Sequence, residues 1–111
     1  MKVLKIYDIS EYLEGFAQPI PKEFVEKIKT EIMTGIKIGL LSAYPISYMQ
    51  GLAHAIGVPE IILIGENGNY ICSDANIPPQ WHCIGCENNY MECISQKSGI
   101  RLESIVIQKY Q

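Results

Sequence analysis

The stretch VLKIYD at residues 3–8 decides the fold. Its aliphatic and aromatic residues favour a buried β-strand, and that strand ends in a carboxylate, Asp8. Further along the chain, Pro21 suits the first turn of a helix, and apolar residues then recur at helical spacing over residues 24–32. The sequence therefore predicts a strand at about residues 2–8 followed by an amphipathic helix.

The same succession of strand and helix repeats in the next part of the chain. Strands are predicted at about residues 36–42 and 60–65, with a helix opened by Pro45 between them. The turn signal ENGN at residues 66–69 predicts a hairpin that returns through residues 70–72. Alternating strands and helices of these lengths favour parallel strands covered by helices. The predicted fold class is α/β, a three-layer Rossmann-like core with a short parallel sheet.

Polar residues follow the ends of all three predicted strands. Asp8 ends the first strand, Ser42 ends the second, and the residues GENG at 65–68 follow the third. In open α/β sheets the binding crevice lies beyond the carboxyl ends of the parallel strands. We therefore expect these three segments to converge on one potential site.

The composition is typical of one globular domain. The chain has 111 residues and 12.5 kDa, and 48% of the residues are hydrophobic, so we expect a single domain over residues 1–111. A formal charge of −3, with no run of Lys or Arg, argues against nucleic-acid binding. Apolar runs are far shorter than the roughly 20 residues of a membrane span, and the N-terminus lacks a signal-peptide pattern. We expect no membrane association and a cytoplasmic location.

The order of these motifs resembles the N-terminal part of haloacid dehalogenase-type (HAD-like) phosphatases. The similarity covers about residues 3–74 and rests on four segments, YDISEYL at 7–13, IPKE at 20–23, GIKIGLLS at 35–42 and ENGNYI at 66–71. The resemblance implies that Asp8 is the nucleophile, that Ser42 contacts the phosphate, and that Mg²⁺ is the cofactor. It implies a small phosphorylated molecule as the partner, whereas the charge balance favours a small molecule or a protein.

The chain departs from the pattern of this family in two places. Ser10 stands where these phosphatases have a second Asp, which protonates the leaving group, and a hydroxyl of high pKa cannot do so near neutral pH. Residues 75–111 lack the usual cap, the later Lys and the later acidic pair. We therefore expect a shortened, degenerate member that binds phosphate or a phosphoester, with hydrolysis assisted by a divalent cation as a further expectation. The alternative is a non-catalytic module that binds a metal through cysteines or binds a protein.

Cysteines form a second group of candidate ligands, in and just before the tail. They are Cys72, Cys83, Cys86 and Cys93, with His82 as a substitute ligand. The Cys-x-x-Cys spacing of Cys83 and Cys86 bends two sulfurs toward one point, which supplies half of a zinc or iron–sulfur site. A redox-active thiol pair and buried or disulfide-linked cysteines are the alternatives.

The tail also carries the patterns of a last helix and a last strand. A helix is predicted from about residue 87 to 97, and the alternation over residues 102–107 predicts a strand. This strand joins the edge of the sheet in antiparallel orientation or pairs with residues 70–72. Because an uncovered edge on a small sheet favours self-association, we expect a homodimer.

Overall fold

Six strands and three helices make up the part of the chain that the computed structural model describes, residues 2–10, 20–58, 61–68, 70–72, 81–83 and 90–109. The strands are β1 Leu4–Asp8, β2 Lys37–Leu41, β3 Ile62–Gly65, β4 Tyr70–Cys72, β5 Trp81–Cys83 and β6 Ile105–Lys109. The helices are α1 Lys22–Met33, α2 Ile46–Ala55 and α3 Tyr90–Ser98. None of these three helices combines the length and the apolar character needed to span a bilayer.

All six strands belong to one sheet, in the order β5-β4-β3-β2-β1-β6. β1 pairs in parallel with β2, and β2 pairs in parallel with β3, which confirms the predicted parallel core. β4 returns antiparallel to β3, as the hairpin signal predicts. β5 continues antiparallel to β4, and no pattern in the sequence predicts this strand.

Helices α1 and α2 cover one face of the sheet because their apolar residues recur along one side of each helix. The cluster that they form with alternate residues of β1, β2 and β3 contains Tyr7, Ile9, Phe24, Ile28, Ile38, Leu40, Ile46, Met49, Ala53, Val58, Ile61 and Leu63. Each large side chain buried in this way contributes about 1.5–3 kcal/mol to stability. Burial of this face therefore fixes α1 and α2 on the parallel strands.

Helix α3 lies on the opposite face of the sheet. Successive strand residues point to opposite faces, so Ile6 and Tyr7 serve different clusters. The second cluster consists of Leu4, Ile6, Leu41, Ile62, Ile64, Ile71, Ile94, Ile100 and Ile105, with Ile94 supplied by α3. Helices on both faces of a central sheet give the predicted three layers.

The last strand differs from the prediction. β6 runs parallel to β1, with Ile105 opposite Leu4 and Lys109 opposite Asp8, so both pairings expected from the sequence are wrong. Helix α3 lies between β5 and β6 in the sequence and packs on one face of the sheet. This crossover allows β6 to run in the same direction as β1. As a result the strand order reverses at β1, between β2 on one side and β6 on the other.

A polar cluster ties α1 to β1. Lys5 Nζ lies 2.8 Å from Glu31 Oε2, and Tyr7 Oη donates a hydrogen bond to Glu31 Oε1. Burial alone would raise the pKa of the Glu31 carboxyl, but the hydrogen bonds from Lys5 and Tyr7 outweigh it and hold that pKa below its ordinary value of 4.5. The hydrogen bond to Glu31 also raises the pKa of the Lys5 amino group. The cluster therefore stabilises the packing of α1 on the sheet when Glu31 is ionised.

Replacing Glu31 by glutamine is expected to lower the free energy of unfolding at neutral pH by about 1–2 kcal/mol, because two charge-assisted hydrogen bonds weaken. The folded-state pKa of Glu31 is lowered, so its contribution is present above the ordinary pKa of 4.5 and is lost as the pH falls through the folded-state pKa. Urea unfolding of the wild type and of Glu31→Gln, at neutral and at acidic pH, measures the loss of stability at each pH. The difference between the wild type and Glu31→Gln should shrink in acid.

Glu26→Gln is the control for this prediction. Glu26 is on the same helix, and its side chain is 65% exposed beside Lys22, so the change should alter stability by less than about 0.5 kcal/mol. A Glu31→Gln loss of equal size at both pH values would show that charge is not its cause.

Candidate functional site

The carboxyl ends of β1, β2 and β3 lie side by side at one edge of the sheet. Ile9 N donates a hydrogen bond to Leu41 O at 3.0 Å, and Ser42 N donates to Ile64 O at 3.0 Å. These bonds continue the ladders between the three strands, so the loops that follow begin next to one another. We call this region, formed by Asp8, Ser42 and the turn Glu66–Gly68, the carboxyl edge.

Asp8 is the last residue of β1 and lies between β2 and β6. It is partly buried, and its Oδ1 accepts a hydrogen bond of 3.0 Å from Ser10 N. Lys109, an exposed residue, occupies the register position opposite Asp8 on β6. Asp8 therefore lies where the strand order reverses, and open α/β sheets bind their ligands at this point.

Ser42 is fully buried, and its hydroxyl group is engaged within the loop between β2 and α2. Ser42 Oγ accepts a hydrogen bond of 3.0 Å from Tyr44 N and donates one of 3.1 Å to Met49 Sδ. These contacts hold the loop against the first turn of α2. A contact with phosphate would require the hydroxyl group to leave these partners, so the phosphate-binding role of Ser42 stays a prediction.

The turn after β3 is a single 3-10 turn, Glu66–Gly68. Glu66 and Asn67 have left-handed φ values of 49° and 57°, which are costly for residues other than glycine. Two hydrogen bonds offset this cost, because Glu66 N donates to Tyr44 O at 2.9 Å and Asn67 N donates to Ser42 O at 3.0 Å. The turn thus reverses the chain into β4 and also fastens the loop that follows β2.

Comparison with known proteins agrees with this architecture. The Thermoplasma acidophilum protein 0175 has a TM-score of 0.57 and 18% identity over 91% of this chain. The trehalose-6-phosphate phosphatase of Aspergillus fumigatus has a TM-score of 0.57 and 16% identity over 86% of this chain. The likeness to the Aspergillus enzyme supports a haloacid dehalogenase-like fold. No protein-family model and no curated protein matches the sequence.

The likeness to these structures shows the fold alone, because the sequence identity is low. This chain also spans only 43% of the Thermoplasma protein and 37% of the Aspergillus enzyme. The resemblance to haloacid dehalogenase-type phosphatases is thus supported at the level of fold alone, and the activity of a complete enzyme does not follow from it.

Among the residues that the structure describes, the carboxyl edge does not complete a magnesium site of the kind that the family resemblance implies. Asp8 is an oxygen ligand of the type that Mg²⁺ prefers, but Ser10 follows where haloacid dehalogenase-type phosphatases have a second carboxylate. Within the described ranges, no three His, Cys, Asp or Glu side chains are grouped so that they could hold a metal ion. Because this donor set does not fit Mg²⁺, we assign no chemical step to the metal.

Three of the four candidate cysteines fall within the described backbone. Cys72 ends β4 and Cys83 ends β5, which also contains His82, and these two short strands are paired. Cys93 lies in α3, the helix that follows β5 in the sequence. Cys86 lies outside the described residues. Zinc or iron–sulfur binding by these cysteines therefore stays a prediction.

If Cys83 and Cys86 hold a metal together, the Cys83→Ser/Cys86→Ser protein is expected to lose that metal and to melt at a lower temperature. A structural zinc contributes on the order of 10 kcal/mol to the folding of the segment around it, so the effect on melting should be large. Elemental analysis and thermal unfolding of both purified proteins measure the change, with chelator-treated wild type as the control. Unchanged metal content and melting temperature would show that neither cysteine is a ligand.

Sequence reasoning missed Lys109 as the register neighbour of Asp8. The alternation over residues 102–107 predicts the strand, and Lys109 lies only two residues beyond that predicted strand. The missing piece was the parallel pairing of β6 with β1, which places Lys109 opposite Asp8. That pairing joins segments about a hundred residues apart, and local patterns carry no signal for it.

Proposed function

We propose that the carboxyl edge binds phosphate or a phosphoester, on a domain related to phosphatases. The observation that carries the proposal is the position of Asp8, a partly exposed carboxylate at the point of strand reversal in a haloacid dehalogenase-type fold. Lys109 supports it by adding positive charge in the neighbouring register position.

Hydrolysis of a phosphoester would use Asp8 as the nucleophile. A carboxylate oxygen of Asp8 would form a bond to phosphorus while the bond from phosphorus to the ester oxygen breaks, and the departing oxygen would take up a proton. Ser10 stands at the position of the family's proton donor, and its hydroxyl group cannot supply that proton near neutral pH. Water would have to supply it, which makes turnover slow. Binding is therefore the main proposed function, and hydrolysis a minor one.

A titration with inorganic phosphate tests the proposal, with the backbone amide signals followed by NMR in the presence and absence of Mg²⁺. We expect concentration-dependent shifts at residues 8–10 and 42–46, because these segments begin the loops at the carboxyl edge. Signals from residues 33–37, between the end of α1 and the start of β2 at the opposite ends of the strands, provide the internal control. Unmoved signals at both loop segments would contradict phosphate binding at this edge.

A further inference from the structure

We propose that the phosphoester bound at the carboxyl edge carries a flat aromatic ring, which stacks on the paired rings of Tyr44 and Tyr48. This inference rests on the proposed phosphate binding at that edge and names the class of ligand. Tyr44 lies just before α2 and Tyr48 lies in its first turn, at the spacing of four residues that brings side chains together along a helix. Their ring centroids are 5.0 Å apart, with 30° between the ring planes. We call these two side chains the tyrosine pair.

Hydrogen bonds fasten the backbone of Tyr44 to the carboxyl edge. Tyr44 N donates a bond of 3.0 Å to Ser42 Oγ, and Glu66 N donates one of 2.9 Å to Tyr44 O. Gly65 allows this close approach, since a Cβ atom there would lie only 3.0 Å from Tyr44 O. The loop that presents the tyrosine pair is therefore in place before a ligand binds, and binding costs little further ordering of the loop.

The register of the sheet limits how far the tyrosine pair is from Asp8. Leu41 lies opposite Asp8 in the register of β1 and β2, and neighbouring strands are about 4.8 Å apart. Tyr44 follows Leu41 by three residues, so the Cα atoms of Asp8 and Tyr44 are at most about 16 Å apart. A ligand that places its phosphate beside Asp8 can therefore reach the tyrosine pair with a ring that a sugar or a similar spacer joins to that phosphate.

The exposure of Tyr48 distinguishes the tyrosine pair from an aromatic pair of the core. Tyr7 and Phe24 also pack ring against ring, and each is only 2% exposed, whereas Tyr48 is 44% exposed. Tyr44 covers one side of the Tyr48 ring, so a further ring can stack on the side that stays open. Aromatic side chains accept flat rings in this way by stacking. An aromatic ring is therefore the ligand group that fits this surface.

A comparison of adenosine 5′-monophosphate with ribose 5-phosphate tests the inference, because the two compounds share the phosphate and the sugar and differ in the aromatic base. Amide shifts measure the affinity for each compound and for inorganic phosphate. The wild type should bind the adenosine compound at least about fivefold more tightly than ribose 5-phosphate, because the base stacks on Tyr48. Tyr48→Ala should lower this ratio of affinities to less than about twofold. Tyr48→Phe should keep the ratio, because phenylalanine retains the ring.

Leu102→Ala is the matched control. Leu102 is 46% exposed, but it lies just before β6 at the opposite ends of the strands, so this change should leave the ratio as it is in the wild type. Equal affinity of the wild type for the two compounds, with inorganic phosphate still bound, would overturn the aromatic ligand and leave the proposed function standing. A ratio that persists in Tyr48→Ala would overturn the role of the tyrosine pair. Failure of all three probes to bind would overturn phosphate binding itself and this inference with it.

Discussion

Replacing Gly65 by alanine is expected to lower the free energy of unfolding by about 1–3 kcal/mol, because the added methyl group has no room. A Cβ atom at this position would lie 2.9 Å from Ile46 N and 3.0 Å from Tyr44 O, both of which are backbone atoms. Backbone atoms cannot rotate away as the end of a side chain can, so β3 or the loop between β2 and α2 must shift. Because this loop begins at Ser42, the shift should also weaken phosphate binding at the carboxyl edge.

Gly51→Ala is the matched control for this prediction. Gly51 lies inside α2, and a Cβ atom there would meet nothing within 4 Å. Alanine forms helices better than glycine, so this change should raise the free energy of unfolding by about 0.5–1 kcal/mol. Urea unfolding of the two variants should therefore give effects of opposite sign. A Gly65→Ala protein as stable as the wild type would contradict the close approach of this loop to β3.

Replacing Ser42 by alanine is expected to lower the free energy of unfolding by about 1–3 kcal/mol, because Tyr44 N loses its acceptor in a partly buried place. The same change removes the hydroxyl group that donates to Met49 Sδ. One lost contact lies within the loop between β2 and α2 and the other joins this loop to α2, so the loss should appear in the absence of any ligand. Urea unfolding of the ligand-free protein measures it.

Thr30→Ala is the control for Ser42→Ala. Thr30 Oγ1 also donates a hydrogen bond, of 2.9 Å to Glu26 O, but this bond is exposed on α1, so its loss should change stability by less than about 0.5 kcal/mol. A Ser42→Ala protein that keeps its stability and loses phosphate binding would show that the hydroxyl group acts on the ligand rather than within the loop.

The parallel core could be predicted from the sequence because its signals are local. Apolar runs of strand length end at Asp8 and Ser42, and helical patterns fill the intervals between the strands. The hairpin into β4 follows from the residues Asn67 and Gly68, of which Asn67 takes up a left-handed conformation in the turn. Each of these features depends on neighbours within a few residues, so it can be predicted from the local sequence without knowledge of the fold.

The position of β6 and the direction of the Ser42 hydroxyl group could not be predicted in this way. The pairing of β6 with β1 depends on α3 packing on the second face, which is a contact between distant parts of the chain. Ser42 lies at the predicted strand end, yet its hydroxyl group faces Met49, which is seven residues away on α2. Neither contact has a counterpart in residue spacing, because both are set by packing among elements.

Asp8 determines the charge of the proposed phosphate site, and its amide variant leaves the local structure intact. Asparagine keeps an oxygen that can accept the hydrogen bond from Ser10 N, so Asp8→Asn removes the negative charge and little else. Any turnover should vanish with it, since an amide cannot form the acyl phosphate. Without a divalent cation, Asp8→Asn should instead strengthen the binding of phosphate, because the Asp8 carboxylate repels the anion.

The affinity of the Asp8→Asn protein for inorganic phosphate, measured from amide shifts without divalent cations, is the most direct test of the proposed site. Removing a negative charge about 4 Å from a bound anion should tighten binding about fivefold, because unit charges at that separation in water interact by about 1 kcal/mol. Glu103→Gln, just before the amino end of β6 and so at the opposite ends of the strands, is the control and should change the affinity less than about twofold. Tighter binding by Asp8→Asn alone is the predicted result. Equal affinity of Asp8→Asn and the wild type would contradict phosphate binding at the carboxyl edge.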